Sequence, residues 1–144
     1  MSAPMEVVER HFTAFNAKDA DAEPFSADAE LIAPGAQLRG RNQILDWLRG
    51  YWEAFPDARV EPTRSIESGQ LVAREGKLFA THTGTFRTPE GEIPATGKRV
   101  EIRWMSMYEV AADEVVAEHL YFDPSEFMTQ LGITPGMPTE AAAG

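Results

Sequence analysis

Apolar residues recur with a helical period near both ends of this chain and alternate with polar residues through a long middle stretch. Met5, Val8, Phe12 and Phe15 repeat every three to four residues, which predicts a helix over 4–17 with one apolar stripe. His11 lies beside that stripe and reads as a histidine on the helix surface. Residues 18–27 are polar and read as a loop or a short helix. A short strand over 28–33 follows and ends at Pro34-Gly35. Ile44, Leu45, Trp47, Leu48, Tyr51, Trp52 and Phe55 follow a helical spacing, which predicts a second helix over 41–55, stopped by Pro56. The period then changes to two. Strands are expected over 58–67, 70–74, 78–86, 98–110 and 115–122, with turns at Ser68-Gly69, Glu75-Gly76 and 111–114 and a loop over 89–97. Asp123-Pro124 opens a last helix: aspartate is a good N-cap, and proline suits the first helical position. Short turns between strands imply antiparallel pairing. Helices followed by a meander of strands describe an α+β fold, and a curled sheet with helices on one face makes a cone with an internal pocket.

Composition narrows the picture. The 144 residues suffice for a single domain over 1–144, and 43% hydrophobic content is that of a globular chain. The segment 133–144, with Pro135 and Pro138, is expected to be a mobile tail. No apolar run approaches the roughly 20 residues that cross a bilayer, and the first residues lack the features of a secretory signal. There is no cysteine, hence no disulfide and no thiolate chemistry. Together these features lead us to expect a cytoplasmic protein. A net charge of -10 argues against nucleic acid or an anionic membrane as the main partner.

The candidate chemistry gathers on the strand over 115–122. His119, Tyr121 and Asp123 share one face of it, while Glu118, Leu120 and Phe122 share the other, and the curl of the sheet decides which looks inward. His82, His119, Tyr121 and Asp123 form a candidate acid/base group, because histidine titrates near neutrality and a carboxylate can orient it. Asp123 has a second reading as a helix cap. Trp47, Tyr51 and Trp104 either fill a core or wall a pocket, with Glu118 and Leu120 beside them as candidate substrate contacts. Arg103 could bind an acidic or carbonyl group. It could equally form an ion pair on the outer face, since Glu101, Arg103 and Glu109 share a parity. No metal site is expected: the three histidines are scattered, with no cysteine to help. Nor does Gly35–Gly40 have the lysine and spacing of a phosphate loop.

Several short segments, in order along nearly the whole chain, carry a resemblance. They are Ala14-Phe15-Asn16, Phe55-Pro56-Asp57, Thr81-His82-Thr83-Gly84, Ile93 to Gly97, Tyr121-Phe122-Asp123 and Gln130-Leu131-Gly132. The set resembles the SnoaL-like polyketide cyclases of the NTF2-like α+β cone superfamily. That resemblance implies about three helices on a curved antiparallel sheet, an internal pocket, no cofactor and a homodimer formed through the exposed sheet face. It implies general acid/base chemistry, of the ester cyclase, aldol or isomerase type, on a hydrophobic carbonyl-bearing small molecule. The alternatives are a non-catalytic binder of an aromatic or lipid-like ligand, and an epoxide hydration that needs an inward acid–arginine–acid relay. In the cyclases the catalytic aspartate lies on the last strand. Aligned on Asp123 and Gln130-Leu131-Gly132, its position falls on Leu120, which cannot carry a proton.

Overall fold

A computed structural model describes residues 3–133. Helix α1 (Pro4–Ala17) starts on Pro4, and the Glu6 carboxylate accepts the Ala3 N–H at 2.8 Å. It ends where Lys18 turns left-handed at φ 56. A single 3-10 turn (Ala20–Ala22) leads into β1 (Phe25–Ala33) and β2 (Ala36–Arg39). Helix α2 (Arg41–Ala54) follows. The remaining elements are β3 (Arg59–Ser68), β4 (Leu71–Thr81), β5 (Phe86–Thr88), β6 (Gly91–Ile93), β7 (Arg99–Ala111), β8 (Glu114–Phe122) and α3 (Pro124–Gln130). The tail expected over 133–144 lies, apart from Ile133, outside the described residues.

Six strands form one curved sheet in the order β2-β1-β8-β7-β4-β3, and β5 and β6 make a separate small hairpin. The three helices pack on the sheet's concave side. Burial follows the two-residue period of β7: Val100, Ile102, Trp104, Ser106, Tyr108 and Val110 face inward, and the residues between them face solvent. Val7, Val8 and Phe12 of α1 and Ile44, Leu45 and Leu48 of α2 complete the core. Burying each such large apolar side chain contributes roughly 1.5–3 kcal/mol.

Strand β1 starts three residues earlier than expected, and β2 and the β5–β6 hairpin were not expected; three further details differ from the sequence-based expectation. First, the sheet is mixed: β1 runs parallel to β8, although the other neighbours pair antiparallel. Tight turns dictate direction only for strands they join, and β1 and β8 come from opposite ends of the chain. Second, Glu75-Gly76 does not turn; β4 runs straight through it. A Cβ on Gly76 would lie 2.2 Å from the Glu61 carbonyl oxygen and 2.9 Å from the Trp104 ring. The glycine therefore marks a close approach beside the register shift between Pro62 and Arg64, not a reversal. Third, the 78–86 stretch breaks after Thr81. Asp57 accepts both the N–H and the hydroxyl of Thr81 at 2.7 Å, and the Thr83 and Gly84 N–H groups donate to the Ala54 carbonyl. These bonds tie the end of β4 to the end of α2.

Helix α3 closes one end of the cone. Asp123 Oδ1 accepts the Ser125 and Glu126 N–H groups at 2.9 and 3.4 Å, as expected of an N-cap. Gln130 then clasps the Glu101 backbone with both ends of its amide, at 2.8 and 3.0 Å. This docking drives Phe127 into the space between helices and sheet.

Candidate functional site

Helices α1, α2 and α3 and the concave sheet face enclose a cavity of about 90 Å³. By that measure a single water needs only roughly 10–15 Å³, so the space suits an organic ligand. Its walls are apolar and largely aromatic. Phe12 and Trp104 are buried in the wall, while Phe15, Trp47, Tyr51 and Phe122 are half-buried. Burial holds the Tyr51 phenol protonated far above its ordinary range.

Four polar side chains within reach of one another mark the deep end. His11, Ser106, Tyr108 and Glu118 all line it, and all are buried. Glu118 and Tyr108 face each other across β8 and β7, and Ser106 faces Leu120 one step along. The Ser106 hydroxyl donates to Glu118 Oε2 at 2.8 Å. From the helix side, His11 presents Nε2 to Glu118 Oε1 at 3.8 Å, too long for a direct hydrogen bond. Its Nδ1 lies 2.6 Å from Oε1 of Glu23, just before β1. A carboxylate only accepts, so Nδ1 carries the proton and Nε2 is left facing the cavity. The His11 ring is also held edge-on by Phe25, Phe12 and Tyr108, with centroids 5.2–5.8 Å apart.

Low polarity around these groups shifts their titration. For His11, burial alone would lower the pKa; the charge and hydrogen bond of Glu23, helped by Glu118, outweigh it, and the net shift is upward. Burial raises Glu118, with Glu23 adding to the rise and His11 and Ser106 opposing it. Burial, and then the charge of Glu118, hold Tyr108 protonated well above the usual phenol range. The deep end therefore contains a carboxyl group tuned upward as a base, beside an imidazole that favours its protonated form. Such a pair can take a proton from one atom and give a proton to another.

The sequence-predicted residues divide cleanly. Trp47, Tyr51, Trp104, Glu118 and Leu120 line the cavity. Arg103 does not: it stands on the opposite face of β7, exposed, so no acid–arginine–acid relay forms around it. His119 and Tyr121 also face outward. The His119 side chain is 40% exposed with Nε2 3.6 Å from Glu30, and Tyr121 is 59% exposed. Asp123 is occupied as the α3 cap. His82 is fully buried but behind Phe55, ring centroids 5.1 Å apart, with Nδ1 accepting the Thr96 N–H at 3.2 Å; burial lowers its pKa. His82, His119, Tyr121 and Asp123 thus do not come together.

His11 and Glu23 were not expected to take part. His11 is not on the helix surface but 7% exposed. The pattern did hold a signal: His11 follows Val7 by four residues and Val8 by three, which is on the buried stripe. A titratable residue on such a stripe needs a partner. Glu23, in an acidic, turn-forming segment, had no local signal. Among the described residues no three His, Asp or Glu side chains converge with the spacing of a metal site.

Helices on a curved mixed sheet, enclosing a pocket that is apolar with one polar end, define a class of α+β cones. Within that class the chain belongs to the SnoaL-like domain family, whose model matches residues 8–119. No curated protein matches it in sequence. Solved structures share its fold. One is a protein from Jannaschia sp. CCS1 assigned to the SnoaL-like polyketide cyclases: 20% identical, covering 92% of this chain and 93% of that one, TM-score 0.80. IdmH of Streptomyces antibioticus, assigned as a polyketide cyclase, is 24% identical over 92% of this chain and all of its own, TM-score 0.77. TerC, co-crystallised with polyporic acid, is 16% identical over 91% of this chain and 99% of its own, TM-score 0.73.

Proposed function

We propose that the protein is a cofactor-free acid/base catalyst acting on a hydrophobic, carbonyl-bearing small molecule, with Glu118 as base and His11 as acid. The observation that carries this reading is the convergence of Glu118 and His11 at the deep end of an otherwise apolar cavity. On the resemblance read from the sequence, Leu120 aligns with the aspartate of the cyclases, and Glu118 stands two residues earlier on the same face of β8. The acid is relocated by one step along the strand. In the proposed step, the C–H bond beside the carbonyl breaks and its proton passes to Glu118. The electron pair moves toward the carbonyl oxygen, which receives a proton from His11 Nε2. The enol then returns its O–H proton to His11 and either takes the Glu118 proton at another carbon of a conjugated system, an isomerisation, or attacks a second carbonyl of the same molecule, whose oxygen takes the Glu118 proton, a ring closure. Glu23 accepts the Nδ1–H and stabilises the imidazolium, the form whose Nε2–H can be given to the carbonyl oxygen.

The test is hydrogen–deuterium exchange, by NMR in heavy water, at the carbon next to the carbonyl of naphthyl methyl ketone. Glu118→Gln should lower the catalysed exchange by roughly 100-fold or more, the usual contribution of a general base. Exchange in the wild type no faster than in Glu118→Gln would refute the mechanism; binding of the ketone without exchange would leave a binding protein. The reading extends to a homodimer through the convex face, where Met105, Met107 and Tyr121 lie exposed on adjacent strands.

A further inference from the structure

The charges at the deep end do not balance. Glu23 and Glu118 bring two carboxylates and His11 one imidazole. Glu23 Oε1 is engaged by His11, but its Oε2 is buried with no hydrogen-bond partner. With all three groups ionised, one negative charge is in surplus. Among the described residues no lysine or arginine lines the cavity. The field of the buried Arg74 guanidinium reaches His11 and Tyr108, but its charge is paired with Glu9, to which it donates at 2.8 Å, as it does to Ser65; it stands 4.6 Å from the Phe12 ring centroid. Arg41 spends its guanidinium on the backbone carbonyls of Ala20, Asp21, Glu23 and Phe25, outside the cavity lining. A proton on Glu118 can cancel the surplus, and so can a cation brought by a ligand. The walls favour the second solution, because eight of the lining side chains are aromatic. Ring faces attract cations, the more so where water is excluded. A carboxylate ligand would lose its hydration and meet two carboxylates with a single imidazolium among them.

We propose that this cavity selects a positively charged substrate: a hydrophobic carbonyl compound that carries a protonated or quaternary amine. The inference rests on reading the cavity as the ligand site and deepens the function proposed for it. It also has a mechanistic consequence. An ammonium group inside the cavity keeps Glu118 ionised, which is the form that accepts a proton.

Three probes of similar size separate the possibilities: naphthyl methyl ketone, naphthoate and naphthylmethyl-trimethylammonium, each titrated into the wild-type protein by calorimetry. The ammonium compound should bind roughly tenfold tighter than the ketone, and naphthoate most weakly. In Glu118→Gln the advantage of the ammonium probe over the ketone should fall at least several-fold. Equal affinity for the ammonium probe and the ketone, or tighter binding of naphthoate, would overturn the proposal. If Glu118→Gln does not fold, the order of the three probes on the wild type decides alone. Catalysed exchange of the ketone without a preference for the cation would sink this inference and leave the acid/base reading standing. The preference without exchange would do the reverse.

Discussion

Replacing Glu23 with glutamine isolates the contact that holds His11 in place. The bond is short, 2.6 Å, and the side chains are only 8% and 0% exposed, so water screens it little. Glutamine keeps an acceptor but removes the charge. Hydrogen bonds to charged groups are worth about 1.5–3 kcal/mol and neutral ones about 1. The sign of the pH dependence follows from His11, whose pKa is raised in the folded protein. Its stabilisation is fully present below the unfolded histidine value of about 6.5 and is lost as pH rises through the folded value. The difference between wild type and Glu23→Gln should therefore be about 2 kcal/mol near pH 5.5, above the ordinary carboxylate range. It should shrink by about 1 kcal/mol or more toward pH 9, where the imidazole is neutral and the ion pair is lost. For a chain of this length, 2 kcal/mol corresponds to roughly 6–8 °C in melting temperature. Urea denaturation at several pH values measures the difference directly. A difference that is flat across the window, or grows with pH, would refute the assignment of a charged His11–Glu23 pair.

The remaining predictions concern residues outside the cavity. Asp123→Asn should change melting temperature little, since asparagine caps as well, whereas Asp123→Ala should cost about 1 kcal/mol; neither should reduce ketone exchange. A collapse of exchange in Asp123→Asn with stability intact would instead make Asp123 a proton carrier. The wild type should sediment as a dimer, and Met105→Glu together with Tyr121→Glu should shift it to monomer without unfolding it. A monomeric wild type would end the convex-face proposal.

Much of the fold was legible because its elements obey a period. The stripes of α1 and α2 and the alternation of β7 express which side of each element must leave water, and the chain order of helices and strands then leaves few architectures. Glycine signals were less faithful. Gly76 looked like a turn and is a point of close approach, a distinction that depends on what stands opposite it.

The site was legible only in part. Alternation stated that Glu118 and Leu120 share one face of β8 and His119 and Tyr121 the other, but a strand's own sequence is silent on which face meets the helices. The curl of the sheet decides that, and it turned Glu118 inward. The pairing of β1 beside β8 is long-range, so it brought Glu23 near a strand almost a hundred residues away in sequence with nothing local to announce it. By itself, then, the sequence determined the class of fold, the aromatic helix face and the cap at Asp123, because these depend on neighbours a few positions away. Only the tertiary structure decided that His11, Glu23 and Glu118 form one buried chain, because hydrogen bonds and charges act over ångströms in space, whatever the separation along the backbone.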